Sequence, residues 1–457
     1  MSMPEIEWDQ ALIEKYNASG PRYTSYPTAL DFNDSWQESA FRIAANRYPD
    51  RPLSLYLHIP FCHRLCYFCG CNKQVTRQQH KAEAYLVTLA EEIKARAALF
   101  RQRKVSQMHW GGGTPTFLTA GQIERLMTLL RAEFDFSRDA EISIEIDPRE
   151  IPLTLIDHLS EQGFNRLSMG VQDFNKTVQE RVNRVQDEEF IFALVARARQ
   201  MGFKSTSIDL IYGLPMQTPE SFAFTLQRVL ALRPDRLSVF NYAHLPTLFA
   251  AQRKIREAEL PPASDKLMIL QQTITTLCAA GYQFIGMDHF ALPDDELAQA
   301  QRRGQLHRNF QGYTTQGDCD LLGMGVSAIS MMGDSYGQND KELRRWAQRI
   351  EAQGSAVARG LDLTTDDRVR RDVIKSLICN FSLDFMRLNQ HWGIDAQRYF
   401  ADDLARLQPM VADGLIECSA LGLRVTAKGR LLIRNICMCF DNRLQRKLEQ
   451  RQYSRVI

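Results

Sequence analysis

No apolar run in this chain approaches the roughly 20 residues that a helix needs to cross a bilayer, which excludes a helical membrane span. Among its 457 residues the formal net charge is only +2. With so little excess of either sign, nothing in the balance calls for nucleic acid or a membrane surface as partner. The opening residues, Met1 to Asp9, are acidic and have no apolar core, so no secretory leader is expected. No repeat of fixed period and no low-complexity segment is present. A disulfide framework is missing too. Of ten cysteines, Cys278, Cys319, Cys379, Cys418, Cys437 and Cys439 are scattered, mostly in apolar company, as buried free thiols usually are. The expected setting is reducing and cytoplasmic.

The composition is that of an ordinary globular protein, with 44% hydrophobic and 24% charged residues and length for two or three domains. The other four cysteines are crowded together. Cys62, Cys66 and Cys69 form a Cys-x3-Cys-x2-Cys run, with Cys71 two residues further on. Thiolates are soft donors suited to iron–sulfur clusters, which are usually closed by four cysteines. Three thiolates would leave one iron open, as catalytic metal sites leave a position open. A structural zinc knuckle completed by His63 or Cys71 is the alternative that the spacing also allows.

After an arm of about 50 residues, strand and helix patterns alternate, which predicts parallel strands in an α/β fold. Strands are expected to begin near Leu53, Gln107, Glu141, Arg166, Lys204 and Arg236, with a possible seventh at Tyr282. Helices are expected over 81–100, 120–134 and 219–232. Fully buried parallel strands read as continuous apolar runs, but here the period of two splits them. Leu55, Leu57 and Ile59 alternate with Tyr56 and His58. Ile142, Ile144 and Ile146 alternate with Ser143, Glu145 and Asp147. Leu167, Met169 and Val171 alternate with Ser168, Gly170 and Gln172, and Ile208 and Leu210 with Ser207 and Asp209. A closed eight-strand barrel is filled by branched apolar side chains. A polar inner face implies a wider, incomplete barrel around a polar ligand. The cysteine loop, Gly111-Gly112-Gly113, Glu145, Gln172 and Asp209 all lie towards the C-terminal strand ends, where such folds keep their sites. For any single one of these, a capping or core-satisfying role is the competing explanation.

Together these residues resemble the radical S-adenosylmethionine (SAM) superfamily, and within it the oxygen-independent coproporphyrinogen III oxidases (dehydrogenases). The resemblance rests on Tyr56-x-His58-x-Pro60-Phe61-Cys62-x3-Cys66-x2-Cys69-x-Cys71, Gly111-Gly112-Gly113-Thr114-Pro115 and Glu145-Ile146-Asp147-Pro148-Arg149. It continues through Ser168 to Gln172, Asp209 to Pro215, Gly286-Met287-Asp288-His289 and Gln311-Gly312-Tyr313. The arm's Gly20-Pro21-Arg22-Tyr23-Thr24-Ser25-Tyr26-Pro27 also fits this subgroup. The likeness runs from about residue 15 to the C-terminus.

The resemblance implies an α/β fold, an incomplete parallel (β/α)6-type barrel (partial TIM barrel), with an N-terminal arm and a mostly helical, winged-helix-like C-terminal domain. The boundaries expected are 1–50 for the arm, 51–290 for the barrel, 291–363 for its extension and 364–457 for the C-terminal domain. It implies a [4Fe–4S] cluster on Cys62, Cys66 and Cys69, with Cys71 not a ligand. One SAM is expected at Tyr56, Gly112, Glu145 and the backbone near Ile329. A second is expected at Phe68, Gly113, Thr114, Gln172, Arg184, Asp209 and Ala243. Tyr56, His58 and Glu145 are the catalytic candidates. For Phe68 and Ala243 packing is the plainer role, and Arg184 alone would read as a solvated helix residue.

The activity implied is decarboxylation of two propionates of coproporphyrinogen III to the vinyls of protoporphyrinogen IX, by a 5′-deoxyadenosyl radical from SAM. The partners implied are that substrate and a one-electron donor such as a flavodoxin-type protein, with a monomer expected and no nucleic acid or membrane. A propionate β-carbon has neither an acidic proton nor a leaving group, so general acid–base catalysis cannot begin the reaction, and a cofactor must. Guanidinium groups are expected on the propionates, with Arg22, Arg149 and Arg308 as candidates. The arm, through Arg22, Tyr23 and Tyr26, is expected to cover the substrate. A haem chaperone of the same superfamily and a zinc-stabilised binding protein are the rivals.

From about Thr364 the pattern is helical, followed by a hairpin at 415–418 and 423–426 and a helix from Ala427. Arg424, Lys428, Arg430 and Arg434 could suggest phosphate contacts on a winged helix, against which stands the near-neutral net charge. The basic tail, 443–455, is expected to be a solvated helix.

Overall fold

The computed structural model describes residues 6–445. Six parallel strands follow one another in chain order: β1 (Leu53–Ile59), β2 (Lys104–Gly112), β3 (Asp135–Ile146), β4 (Arg166–Gln172), β5 (Ser205–Tyr212) and β6 (Arg236–Asn241). Helices α1 (Gln79–Ala97), α2 (Ala120–Glu133), α3 (Thr154–Glu161), α4 (Glu188–Gln200) and α5 (Pro219–Leu232) lie between them. Their starts are written locally. Thr119 and Gln122 cap α2 reciprocally, Asp187 caps α4, and Thr218 and Ser221 cap α5 with Pro219 in the first turn. This is the α/β partial barrel that the alternation predicts.

The split faces of the strands are present as read. Leu53, Leu55, Leu57 and Ile59 are fully buried against the helices. On β3, β4 and β5 each buried aliphatic alternates with a half-buried Ser143, Glu145, Ser168, Gly170, Gln172, Ser207 or Asp209. β2 and β3 start earlier than expected, at Lys104 and Asp135 rather than near Gln107 and Glu141. Their first residues are charged and carry no apolar alternation to reveal them.

The other edge of β1 was not legible. There β7 (Asp320–Met324) pairs parallel to β1, setting Gly323 opposite Tyr56. Antiparallel β8 (Ile329–Met332), β9 (Ser335–Asn339) and β10 (Val357–Asp362) continue the sheet. A carboxylate stitches this edge together. Fully buried Glu92 of α1 accepts from Gly325 N, Asn339 Nδ2 and Trp346 Nε1 at 2.6 to 3.1 Å.

The chain forms two compact units. The larger comprises Phe32–Ile269 and Asp318–Asp362. The smaller comprises the described parts of Met1–Asp31, Leu270–Gly317 and Leu363–Ile457. By contact, the first 31 residues and the region from 270 to 317 group with the C-terminal helices. The strand expected near Tyr282 exists as Gln283–Gly286, but it pairs antiparallel with His289–Ala291 inside the smaller unit.

In the smaller unit the arm is anchored. Arg434 donates to the carbonyls of Gly20 and Pro21, Asn435 to Tyr16 O, and Tyr23 Oη to Asp441. Tyr23 and Tyr26 are buried there, so they hold the arm in place and present no free face to a substrate. The hairpin is Ile416–Ser419 with Gly422–Val425, joined by Ser382–Asp384 beside helices Thr365–Asn380, Phe385–Trp392 and Ala401–Ala412. The helix expected from Ala427 begins only at Ile433. Gly429 occupies a turn tight against Leu415 O that a side chain would not fit. The basic residues of this region are engaged within the unit. Arg424 pairs with Glu417, Lys428 with Glu7 and Asp9, Arg430 lies over Phe381, and Arg434 holds the arm. Of the tail, Asn442–Gln445 is helical and the rest of 443–455 lies outside the described residues. Among the described residues no helix is long and apolar enough to cross a membrane.

Candidate active site

The cysteine loop leaves the end of β1 and is held on several sides. Its start pairs Phe61 with Gln74 and Cys62 with Val75 in a short parallel ladder. Tyr67 N donates to Val182 O at 3.0 Å, and Asn183 Nδ2 donates to Leu65 O at 2.7 Å. Cys62 and Cys66 are buried; Cys69 is half-buried. Thr114 Oγ1, in the glycine loop after β2, lies 3.5 Å from Cys62 Sγ.

Cys66 Sγ faces two guanidiniums, Arg149 Nη2 and Arg184 Nη1, each at 3.4 Å. Both arginines also donate to Asp147. Burial pushes the Asp147 carboxyl up, but Arg184 and Arg149 outweigh it and hold the group at about 2. Arg184 further donates to Gly170 O, so it is a built-in residue of the barrel mouth and not a solvated one. Burial pushes the Cys62 thiol up to about 11. A hydrogen bond from Cys71, helped by Lys73, draws the Cys69 thiol down, while Cys71 itself is pushed up. His63 packs its ring on Phe117, 4.4 Å between centroids, rather than turning to the sulfurs. Among the described residues no group of three or more His, Cys, Asp or Glu is drawn close enough to clasp a single metal ion. Thiolate-stabilising cations around an open trio of cysteines fit a four-iron cluster better than a closed zinc knuckle.

On the inner face of β1, burial lowers the His58 ring pKa, leaving it neutral. Its Nε2–H donates to Asn72 O at 3.0 Å, so Nδ1 accepts from Tyr56 Oη, also at 3.0 Å. Tyr56 stacks on His109 of β2. His109 Nε2 donates to Glu145 Oε1 at 3.2 Å, and Gly112 N donates to Glu145 Oε2 at the same distance. The Glu145 side chain stays 43% exposed within this mouth.

The glycines are there for clearance. Gly112 has φ +120°, and a Cβ on it would lie 2.7 Å from the His58 ring. A Cβ on Gly113 would lie 2.8 Å from Phe61 O and Pro60 C. Ile329 approaches from β8, its carbonyl against Gly323, the residue paired with Tyr56.

Gln172 ends β4 with φ 71°, beside a register slip, and its Oε1 is buried with no hydrogen-bond partner. Such an orphaned acceptor fits a ligand donor. Asp209 of β5 pairs in register with Gly170 and Ser238. Its carboxyl is pushed up to about 7, by burial first and by Glu145 second.

Phe68 packs on the buried cluster of Val178, Val182, Leu214, Tyr242 and Ile255. Ala243 lies in the loop after β6. Both offer their carbonyls to one side chain, the Gln252 amide, at 2.9 and 3.2 Å.

The candidate cluster and SAM residues thus all lie in the larger unit, whereas Arg22 and Arg308 belong to the smaller one. Two further residues were missed. His109 could have been found, since Gln107, His109 and Gly111 alternate with Met108 and Trp110 as on the other strands. Gln252 sits in a short turn, Ala250–Lys254, with no periodic signal.

The radical SAM superfamily pattern matches residues 56–229, and the HemN C-terminal domain matches 363–432. An oxygen-independent coproporphyrinogen III oxidase from Salmonella typhimurium is 69% identical over 457 residues, covering 100% of both chains. Proteins of the same name from Escherichia coli K12 and Pseudomonas aeruginosa are 68% and 50% identical over nearly their whole lengths. The solved structure of coproporphyrinogen III oxidase (HemN) from Escherichia coli, described as a radical SAM enzyme, superposes with a TM-score of 0.93. It is 67% identical and covers 96% of this chain and 99% of that one.

Proposed function

The chain belongs to the oxygen-independent coproporphyrinogen III oxidases of the radical SAM superfamily, and from that membership we infer how its residues divide the work. It is a radical SAM oxidoreductase of haem biosynthesis that converts coproporphyrinogen III to protoporphyrinogen IX by oxidative decarboxylation of two propionates to vinyls. When bound, the [4Fe–4S] cluster and SAM supply radical abstraction of hydrogen from a carbon that no side-chain base could deprotonate.

Cys62, Cys66 and Cys69 would hold the cluster, with Arg149 and Arg184 supplying positive charge at Cys66. Tyr56, Gly112, Glu145 and the Ile329 backbone would hold the reacting SAM. Glu145 is an open anionic acceptor aimed by His109 and Gly112 N, suited to an ammonium group. Neutral His58 fixes the Tyr56 hydroxyl, so both act as orienting groups more than as proton carriers. Phe68, Gly113, Thr114, Gln172, Arg184, Asp209 and Ala243 would form a second adenosyl-compound site. There the orphaned Gln172 Oε1 would accept, and Arg184 would attract a carboxylate. Residues 51–290 would be the catalytic barrel, 291–363 its extension, 1–50 the arm and 364–457 the C-terminal domain. The protein would act in the cytoplasm as a monomer, reduced by a flavodoxin-type donor.

The contact that carries this reading is Thr114 to Cys62, because it joins the glycine loop beside Glu145 to the cysteine loop. Positioning of that kind is a large part of radical catalysis, where the reacting atoms must meet before side reactions intervene. The haem chaperone reading draws no support from the three full-length relatives above, which carry the oxidase name. Anaerobic incubation with SAM, reductant and coproporphyrinogen III tests the function: divinyl product is expected. Tight haem binding without product would favour the chaperone.

A further inference from the structure

Within the smaller unit, several buried N–H groups meet no acceptor. Arg308 Nε and Nη1, Gln311 Nε2 and Arg430 Nε are all buried without a hydrogen-bond partner. Arg308 and Gln311 share one hairpin, His307–Asn309 with Gly312–Thr314. The Arg308 guanidinium lies 4.5 Å from the Tyr313 ring centre, and that of Arg430 lies 4.5 Å from the Phe381 ring centre. Those two rings meet at Gly286, where a Cβ would lie 2.5 Å from Tyr313 Oη and 3.3 Å from Phe381 Cζ. His289 closes edge-on against Tyr313, 5.1 Å between centroids.

Most arginines of the described residues that lie out of water are paired. Arg103 meets Asp320, Arg149 meets Asp147 and Arg370 meets Asp403; even the half-exposed Arg22 meets Asp288. Among the described residues, neither Arg308 nor Arg430 has a carboxylate partner. A buried charge without a counter-ion costs far more than a lost hydrogen bond, and such violations of local consistency gather at functional sites. Guanidinium forks match carboxylates, and the rings of Tyr313 and Phe381 beneath them hold the two forks in place by cation–π contact.

We propose that Arg308, Gln311 and Arg430 form a carboxylate-binding site in the smaller unit, which takes propionate groups of the porphyrinogen. This rests on the substrate stated above, and it separates the three arginines considered from the sequence. Arg22 and Arg149 are committed to aspartates; Arg308 is not.

The test uses the reconstituted enzyme and two readouts. Coproporphyrin III, the unreactive oxidised form of the substrate, is titrated by fluorescence quenching against its tetramethyl ester. The wild type should prefer the free acid, and Arg308→Gln should lose that preference. KM for coproporphyrinogen III should rise on the order of tenfold to a hundredfold, as expected for loss of a charge-assisted hydrogen bond. Arg308→Lys, which keeps the charge but not the fork, should fall between. Without ligand, Arg308→Gln should melt at the same temperature as the wild type or higher, because it removes an unpaired, half-buried charge. Arg430→Gln is compared in parallel. Unchanged acid preference and KM in both glutamine variants, or a marked loss of folded protein in Arg308→Gln, would overturn the proposal. A wild type that binds the acid but makes no vinyl product would instead count against the assigned reaction.

Discussion

Gln252 Nε2 donates to the carbonyl of Phe68 at 2.9 Å, and so ties the cysteine loop to the loop after β6. The same amide reaches Ala243 O, and its Oε1 accepts from Leu245 N at 2.6 Å. Gln252→Leu keeps the volume but leaves three backbone groups unmatched, at about 1–3 kcal/mol for each one that stays buried. A stability loss of about 3 kcal/mol is expected by urea unfolding, with a several-fold higher KM for SAM. Equal stability and equal KM would show the clamp to be idle.

Gly113 stands where any side chain would press on the backbone of Pro60 and Phe61, directly before Cys62. Backbone cannot yield as a flexible side-chain tip can, so the cysteine loop must move. Gly113→Ala is expected to lower iron content after anaerobic reconstitution to well under half. Gly121→Ala, in α2 with open space around it, should leave iron content unchanged.

The Asp209 carboxyl, pushed up to about 7 mainly by burial, links stability to pH. In the unfolded chain this group titrates near its ordinary value of about 4. Between these values the folded protein binds more protons than the unfolded one, so stability falls as pH rises. In the absence of SAM, Asp209→Asn should flatten that part of the profile and gain most above pH ~7. Parallel urea midpoints for the two proteins across the range would refute the linkage.

Arg103 and Asp320 form an ion pair at 2.7 Å, with side chains only 4% and 3% exposed. Arg103 stands just before β2 and Asp320 opens β7, so the pair locks strands on either side of β1. Arg103→Ala leaves a buried carboxylate with only Gly333 N at 2.9 Å and the Arg51 guanidinium at 3.6 Å, both on Oδ1. A loss of about 3–5 kcal/mol is expected from denaturant unfolding.

The mouth of the barrel was legible because a period of two is a local signal. Tyr56 and His58, Glu145, Gln172 and Asp209 each declared their face by the aliphatics beside them. The strand across from Tyr56 was hidden, since Leu321 and Leu322 give no alternation and its partner lies some 260 residues earlier in the chain. Long-range pairing of that kind leaves no local mark. The helix read from Ala427 failed for the opposite reason: its apolar spacing is real, but Gly429 must fit against Leu415 O, which only the tertiary structure reveals. Tyr23 and Tyr26 read as part of a cover over the substrate because nothing in the arm's sequence shows that Asp441, over 400 residues away, receives the Tyr23 hydroxyl.

The central claim, an iron left open by Cys62, Cys66 and Cys69, is tested most directly by electron paramagnetic resonance of the reduced, reconstituted protein. Adding SAM should change the cluster's g-values as the compound takes the free iron, and serine in place of any one of the three cysteines should abolish the signal. A spectrum that SAM leaves untouched, or a cluster that survives loss of Cys66, would contradict the account.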